Sequence, residues 1–271
     1  MTATNPRPRA LVTGASSGIG AAFAERLARD HFDLILVARR RDRLAALAQK
    51  LQSEHHVSVE VLAADLAKHT DLLMVENRIA EEANLEMLIN NAGFGAYMPF
   101  TSLDPNRAEE LINVKVLAVT RLTRAALPGM IARKHGSIIN VSSRLAFSGP
   151  VTMPTMPKRA TYAATNAYIN AFTQILSEEL KDTGVKIQAL CPGMIKTEFH
   201  LIQGTDPSRL PANLFMEVED LVNASLKGLE LGEVICIPAL NDSALLAQLE
   251  NSQRQMLMSS GKGAPADRYT Q

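Results

Sequence analysis

The chain has 271 residues, 46% of them hydrophobic, and its 28 lysines and arginines balance 28 aspartates and glutamates. This length suits one large α/β domain and is marginal for two, and the hydrophobic content excludes a disordered chain. A balanced charge gives no electrostatic basis for binding nucleic acid or an anionic membrane surface.

Predicted strands and helices alternate along the chain. The predicted strands are rich in Val, Ile and Leu with little polar alternation, which indicates strands covered by helices on both faces. They are Ala10–Thr13, Asp33–Ala38, Val57–Ala63, Met87–Asn90, Ser137–Val141, Val185–Leu190 and Val234–Ile237. The predicted helices are Gly18–Asp30, Arg41–Glu54, Asp71–Asn84, Pro105–Arg133, Tyr162–Thr183, Val218–Leu231 and Asp242–Met258. This alternation predicts a single Rossmann-type, doubly wound domain over residues 1–271 with a seven-stranded parallel sheet.

Three further segments are predicted from their composition. Residues 1–8 form a flexible lead-in without the apolar core of a secretory signal. Residues 201–213, with one glycine and two prolines, predict an excursion on the substrate side, over the carboxyl edge of the sheet. Residues 242–271 are the C-terminal helix and tail.

The expected compartment follows from the cysteines and from hydropathy. Cys191 and Cys236 each lie in an apolar stretch, which favours buried thiols in a reducing compartment over a disulfide. No run of about 18 apolar residues predicts a membrane-spanning helix. We therefore expect a cytoplasmic protein that does not associate with membranes.

A glycine-rich loop joins the first predicted strand to the first predicted helix. Its glycines permit a tight turn and let the backbone approach a pyrophosphate, and the helix N-terminus offers free N–H groups and a positive dipole end. The alternative is a glycine-rich turn without a ligand. The position between strand and helix favours a phosphate site that uses Gly14, Ser16, Ser17, Gly18, Ile19 and Gly20.

The Gly-xxx-Gly-x-Gly spacing of this loop resembles the glycine signature of the short-chain dehydrogenase/reductase family, and the resemblance continues along most of the chain. Asn90-Asn91-Ala92-Gly93 matches the motif after the family's fourth strand, Asp65 the residue after the third, and Pro192-Gly193 with Thr197 the motif after the sixth. The resemblance implies that Asn91, Ala92 and Gly93 pack beside the cofactor. It also implies that Asp65 contacts the adenine and that Pro192, Gly193 and Thr197 hold the nicotinamide side.

The cofactor is predicted from the end of the second strand. An acidic residue there binds the ribose 2′-hydroxyl of NAD, whereas arginine accommodates the 2′-phosphate of NADP. Arg39 occupies the discriminating position, so we expect NADP(H). Arg40 and Arg41, which follow it, are interpreted as residues of a solvated helix start.

Three of the family's four catalytic positions are present by resemblance. Asn113 matches the residue that organises a proton-relay water, and Ser143 matches the serine that binds the substrate carbonyl, with Ser142 as the fallback. Tyr162 matches the general acid/base that exchanges a proton with the substrate oxygen.

The fourth position differs, because Asn166 stands where the family's Tyr-xxx-Lys pattern has lysine. Asparagine can bind the nicotinamide ribose but cannot lower the tyrosine pKa by charge. A unit charge about 5 Å away, at an effective dielectric of about 20, is worth roughly 3 kcal/mol, or about two pKa units. The sequence therefore predicts that Tyr162 ionises near the ordinary phenol pKa, and that alcohol oxidation suffers more than carbonyl reduction.

A longer segment than is usual in the family separates Ser143 from Tyr162. It falls within Gly149–Arg159, contains three prolines and two methionines, and predicts either an inert loop or a lid beside the active site. Lys158 and Arg159 are candidates for the missing positive charge because they precede Tyr162. For Phe94 and Tyr97 the sequence leaves two roles open: they line a substrate pocket, or they pack in the core.

The resemblance implies an NADP(H)-dependent enzyme that acts on a small-molecule carbonyl or alcohol. Two alternatives remain: a dinucleotide-binding sensor or scaffold with little or no redox activity, and an active enzyme into which Asn166 was introduced. A homodimer or homotetramer is expected through the helices Pro105–Arg133 and Tyr162–Thr183. No metal site is predicted, because none of the six histidines has a partner at metal-ligand spacing.

Overall fold

The computed structural model describes residues 7–151, 156, 158–198, 211–261 and 263–270. Its strands are β1 (Arg9–Thr13), β2 (Asp33–Ala38), β3 (Val59–Ala63), β4 (Leu85–Asn90), β5 (Gly136–Val141), β6 (Val185–Leu190), β7 (Met194–Ile195), β8 (Phe215–Met216) and β9 (Ile235–Cys236). Its α-helices are α1 (Gly18–Arg29), α2 (Arg41–His55), α3 (His69–Ala80), α4 (Pro105–Ile112), α5 (Val119–Arg133), α6 (Ala160–Glu179), α7 (Val218–Glu230) and α8 (Ala244–Ser259).

Seven strands form one parallel sheet in the order β3-β2-β1-β4-β5-β6-β9, which confirms the predicted fold class. β1 lies at the centre, where Val12 is opposite Leu36 of β2 and Ile89 of β4. The chain runs outward from β1 to β3 and then returns to β4, so the strand order reverses between β1 and β4. A crevice opens at the carboxyl ends of strands at such a reversal. β7 and β8 pair separately.

Helices cover both faces of the sheet with apolar side chains. On one face, Phe23 of α1 and Leu221 of α7 pack with the β1 side chain of Val12. On the other face, Leu72 of α3 and Leu122 of α5 pack with the neighbouring β1 residue, Leu11. Alternate residues of β1 enter opposite layers, so its central residues Ala10, Leu11 and Val12 are all apolar and all buried.

The predicted helix Pro105–Arg133 is interrupted, which corrects the sequence interpretation. Asn113–Ala118 forms a π-helical turn between α4 and α5. A π-helical turn closes its hydrogen bonds over one more residue than an α-helical turn, so it changes the phase of the side chains that follow. Apolar residues continue on both sides of the turn, and sequence periodicity therefore does not reveal it.

The chain divides into two compact units, the first ending at Pro238 and the second comprising Ala239–Gln271. The whole seven-stranded sheet belongs to the first unit. The second contains α8, whose side chains are not buried and include exposed apolar groups such as Leu245 and Leu257. Among the described residues, no helix has the length and apolar character needed to cross a bilayer.

Candidate active site

A cavity of about 1150 Å³ opens at the carboxyl edge of the parallel sheet. It extends from the glycine-rich loop after β1 to the serines after β5 and the start of α6. Its volume exceeds the range of about 300–1,000 Å³ typical of a drug-sized ligand, so it has room for a dinucleotide together with a second small molecule. Most of the residues selected from sequence line this one cavity: Gly14, Ser16, Ser17, Gly18, Ile19, Arg39, Asp65, Asn91, Ala92, Gly93, Ser143, Tyr162, Pro192, Gly193 and Thr197.

The glycine-rich loop is shaped by backbone that other residues tolerate poorly. Gly14 and Gly18 have φ angles of +67° and +56°. A Cβ at Gly20 would lie 2.5 Å from Asn91 Nδ2 and 2.5 Å from Gly14 O, so the start of α1 approaches the loop closely only because Gly20 has no side chain. In the described structure Ser17 makes no side-chain bond to the N-terminus of α1. The free N–H groups there are donors suited to an anion.

Arg40 is a residue that the sequence analysis misjudged. Its guanidinium donates hydrogen bonds to Ser16 Oγ at 2.9 Å and to Ser17 Oγ at 2.8 Å, so it is held over the glycine-rich loop. Arg40 and the exposed Arg39 both line the cavity, whereas Arg41 does not. The adjacency of the three arginines was visible in the sequence, but the direction in which each side chain points was not.

The segment after β4 is tied to the end of β1. Asn91 donates from its backbone N–H to Thr13 Oγ1 at 2.9 Å and from Nδ2 to Thr13 O at 2.9 Å, and Ala92 N–H also donates to Thr13 Oγ1. These bonds fix the two central strand ends on which the crevice depends. Asp65 lies after β3 and lines the same crevice.

The opposite wall is the segment after β6. The Thr197 side chain lies 3.4 Å from the position of a Cβ built on Gly18, so this wall crosses close to the start of α1. Of the predicted excursion 201–213, residues 201–210 lie outside the described part of the chain. Leu214, which follows, lines the cavity.

Tyr162 lies in the first turn of α6 and its side chain is buried against that of Tyr97. The two rings meet edge to face, with centroids 5.0 Å apart and planes at 69°. Burial raises the pKa of Tyr162, and hydrogen bonds with the side chains of Tyr97, Ser143 and Asn166 lower it in part. The expectation that Tyr162 ionises near the ordinary phenol pKa was therefore wrong, because burial, which the sequence did not reveal, raises its pKa. Tyr97 and Phe94 both line the cavity.

The two serines after β5 have different surroundings. Ser142 Oγ donates to the backbone oxygen of Asn166 at 3.0 Å, which ties β5 to α6. Ser143 Oγ accepts from Leu145 N–H at 3.2 Å and interacts with the Tyr162 hydroxyl. The geometry thus favours Ser143 over the fallback Ser142 as the partner of Tyr162.

Asn166 and Asn113 are not among the residues that line the cavity. Asn166 is fully buried, its Nδ2 donates to Tyr162 O at 2.7 Å, and its Oδ1 has no partner among the described residues. Asn113 is half-buried and begins the π-helical turn. Their contacts with a cofactor or a relay water stay predictions.

Lys115 is the residue that sequence reasoning missed. It lies in the π-helical turn, is 4% exposed, and lines the cavity beside Gly93, where a Cβ would contact its side chain at 2.9 Å. Its Nζ donates to Val141 O at 2.7 Å. Burial lowers the pKa of Lys115 to about 8. A lysine in the middle of a predicted amphipathic helix gave no sign of facing inward.

The two cations proposed from sequence proximity are placed elsewhere. Lys158 is exposed, and Arg159 donates to Ser148 Oγ at 2.7 Å and to Val151 O at 3.0 Å. Neither lines the cavity, so the idea that they replace a lysine at position 166 was wrong in this structure. Residues 152–155 and 157 of the loop lie outside the described part of the chain. Val151 and Met156 line the cavity, which agrees with an apolar wall.

One cluster of metal-ligating groups lies outside the cavity in the described structure. Ligand atoms of Glu25, Glu54 and His55 lie within 4.8 Å of one another. Lys50 Nζ already bonds to both carboxylate oxygens of Glu25 at 2.9 Å. We assign this partly exposed cluster no role.

Two solved structures are similar to this one over nearly their whole length. A short-chain dehydrogenase from Sphingobium yanoikuyae in complex with NADPH is 40% identical, with a TM-score of 0.89 over 97% of this chain and 100% of that chain. The bulky-bulky ketone specific alcohol dehydrogenase from Comamonas testosteroni is 35% identical, with a TM-score of 0.86 over 98% of this chain and 99% of that chain.

Two curated relatives carry contrasting descriptions. The very-long-chain 3-oxoacyl-CoA reductase of Mus musculus is 31% identical over 212 residues, which are 77% of this chain and 66% of the relative. The inactive hydroxysteroid dehydrogenase-like protein 1 of Homo sapiens is 30% identical over 190 residues, 69% of this chain and 56% of the relative. The chain thus spans between 56% and 66% of the length of these two relatives. The model of the short chain dehydrogenase family matches residues 8–205, a range that includes most of the residues that line the crevice, and this protein therefore belongs to that family of oxidoreductases.

Proposed function

We propose that this chain is an NADP(H)-dependent oxidoreductase that interconverts a carbonyl and an alcohol in a small molecule by hydride transfer. The observation that carries the proposal is the meeting of the Tyr162 and Ser143 side chains inside the cavity, at the far end of a crevice that starts at the glycine-rich loop. A phenol and a hydroxyl side by side can together bind and protonate one oxygen atom.

The crevice fits a dinucleotide that carries a 2′-phosphate. The absence of a side chain at Gly20 and the positive φ of Gly18 bring the loop and the N-terminus of α1 to the cavity, where free N–H groups suit a pyrophosphate. Arg39 and Arg40 line the adjoining end, and guanidinium groups suit a further phosphate. The similar Sphingobium structure holds NADPH, which supports the same choice here.

The residues of the cavity then have distinct tasks. When bound, the nicotinamide supplies the hydride for reduction or accepts it in oxidation. In reduction, Ser143 donates a hydrogen bond to the carbonyl oxygen and Tyr162 transfers its phenolic proton to that oxygen. Because burial raises the pKa of Tyr162, the phenol is protonated at neutral pH, which is the state that reduction requires. Oxidation requires the phenolate, so we infer that reduction is the faster direction. By resemblance, Asn113 relays the proton and Asn166 holds the ribose.

Several apolar side chains line the cavity together with Tyr162. They are Leu145, Phe147, Val151, Met156 and Leu214. Such a wall favours ketones or aldehydes with apolar substituents. The similar Comamonas enzyme is named for bulky ketones, which supports this substrate class.

The test is NADPH oxidation with a panel of ketones and aldehydes, run on the wild type, Tyr162→Phe and Tyr168→Phe. Tyr168 is a matched control because it lies on the same helix but is bonded to Thr120 Oγ1 and stacked on Phe172. Loss of a general acid is expected to lower the rate about 10²–10⁴-fold in Tyr162→Phe with NADPH binding retained. An unimpaired Tyr162→Phe would contradict the proposed role.

A second candidate function is a dinucleotide-binding protein with little redox activity. It is supported by Asn166 at the position where the family pattern has lysine, and by the relative named inactive. The discriminating result is NADPH that binds, as seen by its fluorescence, but is not consumed with any substrate of the panel.

We also propose that the chain forms a homodimer or homotetramer. Helices α4 to α6 and the turn between them leave Ile112, Leu117 and Ile175 exposed at 45%, 41% and 63%. Apolar side chains on neighbouring helices suit a subunit interface. Size-exclusion chromatography that shows a monomer at micromolar concentration contradicts this expectation.

A further inference from the structure

We propose that Lys115 supplies the positive charge at the reactive end of the crevice, where its ammonium donates hydrogen bonds to the bound dinucleotide and stabilises negative charge on the Tyr162 oxygen. The inference deepens the proposed function and rests on it. In this proposal the cation of the site lies on the π-helical turn, whereas the lysine of the family pattern would lie on α6 at position 166.

The position of Lys115 relative to Gly93 and Ser143 supports this proposal. Its Nζ is bonded to Val141 O at 2.7 Å, and Val141 precedes Ser143 by only two residues. Two residues of extended chain span at most about 7 Å, so the ammonium lies close to the serine that interacts with Tyr162. Its side chain also packs against Gly93, on the dinucleotide side of the cavity. Lys115 therefore lines the same cavity as Gly93, Ser143 and Tyr162.

Lys115 also has hydrogen-bond donors that the described residues do not use. An ammonium has three N–H donors, and among the described residues only the bond to Val141 O is made. No carboxylate of the described structure lies within ion-pairing distance of it. A buried charge without an ionic partner is costly, so its presence in a binding cavity points to a ligand that completes its bonding. A dinucleotide offers phosphate and hydroxyl oxygens as acceptors.

The charge of buried Lys115 acts on a neighbouring titratable group. Burial lowers the pKa of Lys115 to about 8, so the group remains protonated at neutral pH. Its charge also acts on Cys191, where it opposes the effect of burial on the thiol pKa. Cys191 interacts with Ser142 as well, so the field of Lys115 extends over the residues beside Ser143. The proposal extends this effect to Tyr162, whose pKa in the cofactor-free chain is governed by burial and by hydrogen bonds with Tyr97, Ser143 and Asn166.

The competing explanation is a purely structural role, in which the bond from Lys115 to Val141 only stabilises the packing of the π-helical turn against β5. The two explanations differ in what Lys115→Met does to the protein without cofactor. Removing an unpaired buried charge should raise the melting temperature by a few degrees even though one hydrogen bond is lost. If the role of Lys115 is purely structural, its removal should lower the melting temperature. Lys115→Gln is the second variant, because glutamine can still donate to Val141 O but carries no charge.

The experiment measures NADPH dissociation constants by fluorescence, and melting temperatures, for the wild type, Lys115→Met, Lys115→Gln, Lys115→Met/Asn166→Lys and the exposed-lysine control Lys181→Met. We expect both neutral variants to weaken NADPH binding by about 10- to 100-fold without loss of melting temperature. The double variant should recover most of that affinity, because it returns a charge to the same site from α6. Lys181→Met should match the wild type.

Unchanged NADPH affinity in both neutral variants would overturn the proposal. It would also be overturned if the neutral variants bound NADPH more weakly and melted at a lower temperature, and if adding Asn166→Lys did not restore binding. Turnover is measured separately on the same proteins, and the neutral variants should lose about tenfold or more in kcat, with the loss reversed in the double variant. A wild type that consumes no NADPH defeats the reductase proposal, while the binding measurements still decide whether Lys115 holds the dinucleotide.

Discussion

The Tyr97 ring lies edge to face with the Tyr162 ring, and its side chain hydrogen-bonds to that of Tyr162. This hydrogen bond lowers the pKa of Tyr162 and so favours its phenolate. Burial raises the Tyr97 pKa far above its ordinary value, so Tyr97 remains a donor throughout the accessible pH range. Tyr97 thus acts on the proposed proton donor through both packing and hydrogen bonding.

Tyr97→Phe should therefore slow alcohol oxidation more than carbonyl reduction. The ring contact is retained, but the hydroxyl that lowers the Tyr162 pKa is lost, so the phenolate becomes scarcer at neutral pH. One hydrogen bond to a charged group is worth about 1.5–3 kcal/mol, which corresponds to a loss of about tenfold or more in oxidation. The measurement is kcat for oxidation against pH, whose rising limb should move to higher pH. Equal losses in both directions would argue for a packing role alone.

Arg40→Ala should weaken NADPH binding more than NADH binding. Arg40 is held over the loop by Ser16 and Ser17, so its removal takes away a donor for the 2′-phosphate and a support for the loop. We expect the NADPH over NADH preference in kcat/KM to fall about tenfold or more. Arg41→Ala is the control, because Arg41 is exposed and does not line the cavity. An equal loss for both cofactors would show that Arg40 acts only on the loop.

The charge on Lys115 should make the stability of the cofactor-free protein depend on pH. Lys115 loses its proton near pH 8 in the folded chain and near its ordinary pKa of 10.5 in the unfolded chain. Below pH 8 both states are protonated and the folded state carries the full cost, about 3 kcal/mol. Between pH 8 and 10.5 the unfolded chain binds more protons, so the unfolding free energy of the wild type rises relative to that of Lys115→Met.

Urea unfolding of the two proteins at several pH values checks this prediction. Other titrating groups are shared by both and cancel in the difference. A difference that stays constant from about pH 7 to pH 10 would show that Lys115 keeps its ordinary pKa in the folded chain.

Gly20→Ala should damage both stability and cofactor binding. The added methyl group meets Asn91 Nδ2 and Gly14 O at 2.5 Å, and neither can move without disturbing β1 and β4. Overpacking of this kind costs about 1–3 kcal/mol. Gly149→Ala is the matched control, because no described atom lies within 4 Å of its Cβ position. A Gly20→Ala protein with wild-type melting temperature and NADPH affinity would contradict this account of the loop.

The sequence was sufficient for features that local patterns determine. The apolar runs predicted all seven strands of the sheet, and the glycine spacing located the loop after β1, because strand burial and turn geometry depend on neighbouring residues. It was insufficient for Lys115, Arg40 and Arg159, whose roles depend on where a long side chain points. A lysine on a helix is usually exposed, so only the π-helical turn and the contact with Val141 reveal that Lys115 faces inward.

The π-helical turn lets one long stretch of helix satisfy two packing partners. Before the turn, Leu111 of α4 packs with Tyr162 of α6, and after it Leu122 and Met130 of α5 pack on the sheet. Each residue of an α-helix turns by about 100°, so deleting one residue between them would rotate one half against the other by that angle. A regular helix would then keep the sheet contact and lose the contact with the tyrosine, or the reverse. The π-helical turn therefore couples the helix that carries Tyr162 to the sheet. Deleting one residue of the turn should impair the proposed activity more than it impairs folding.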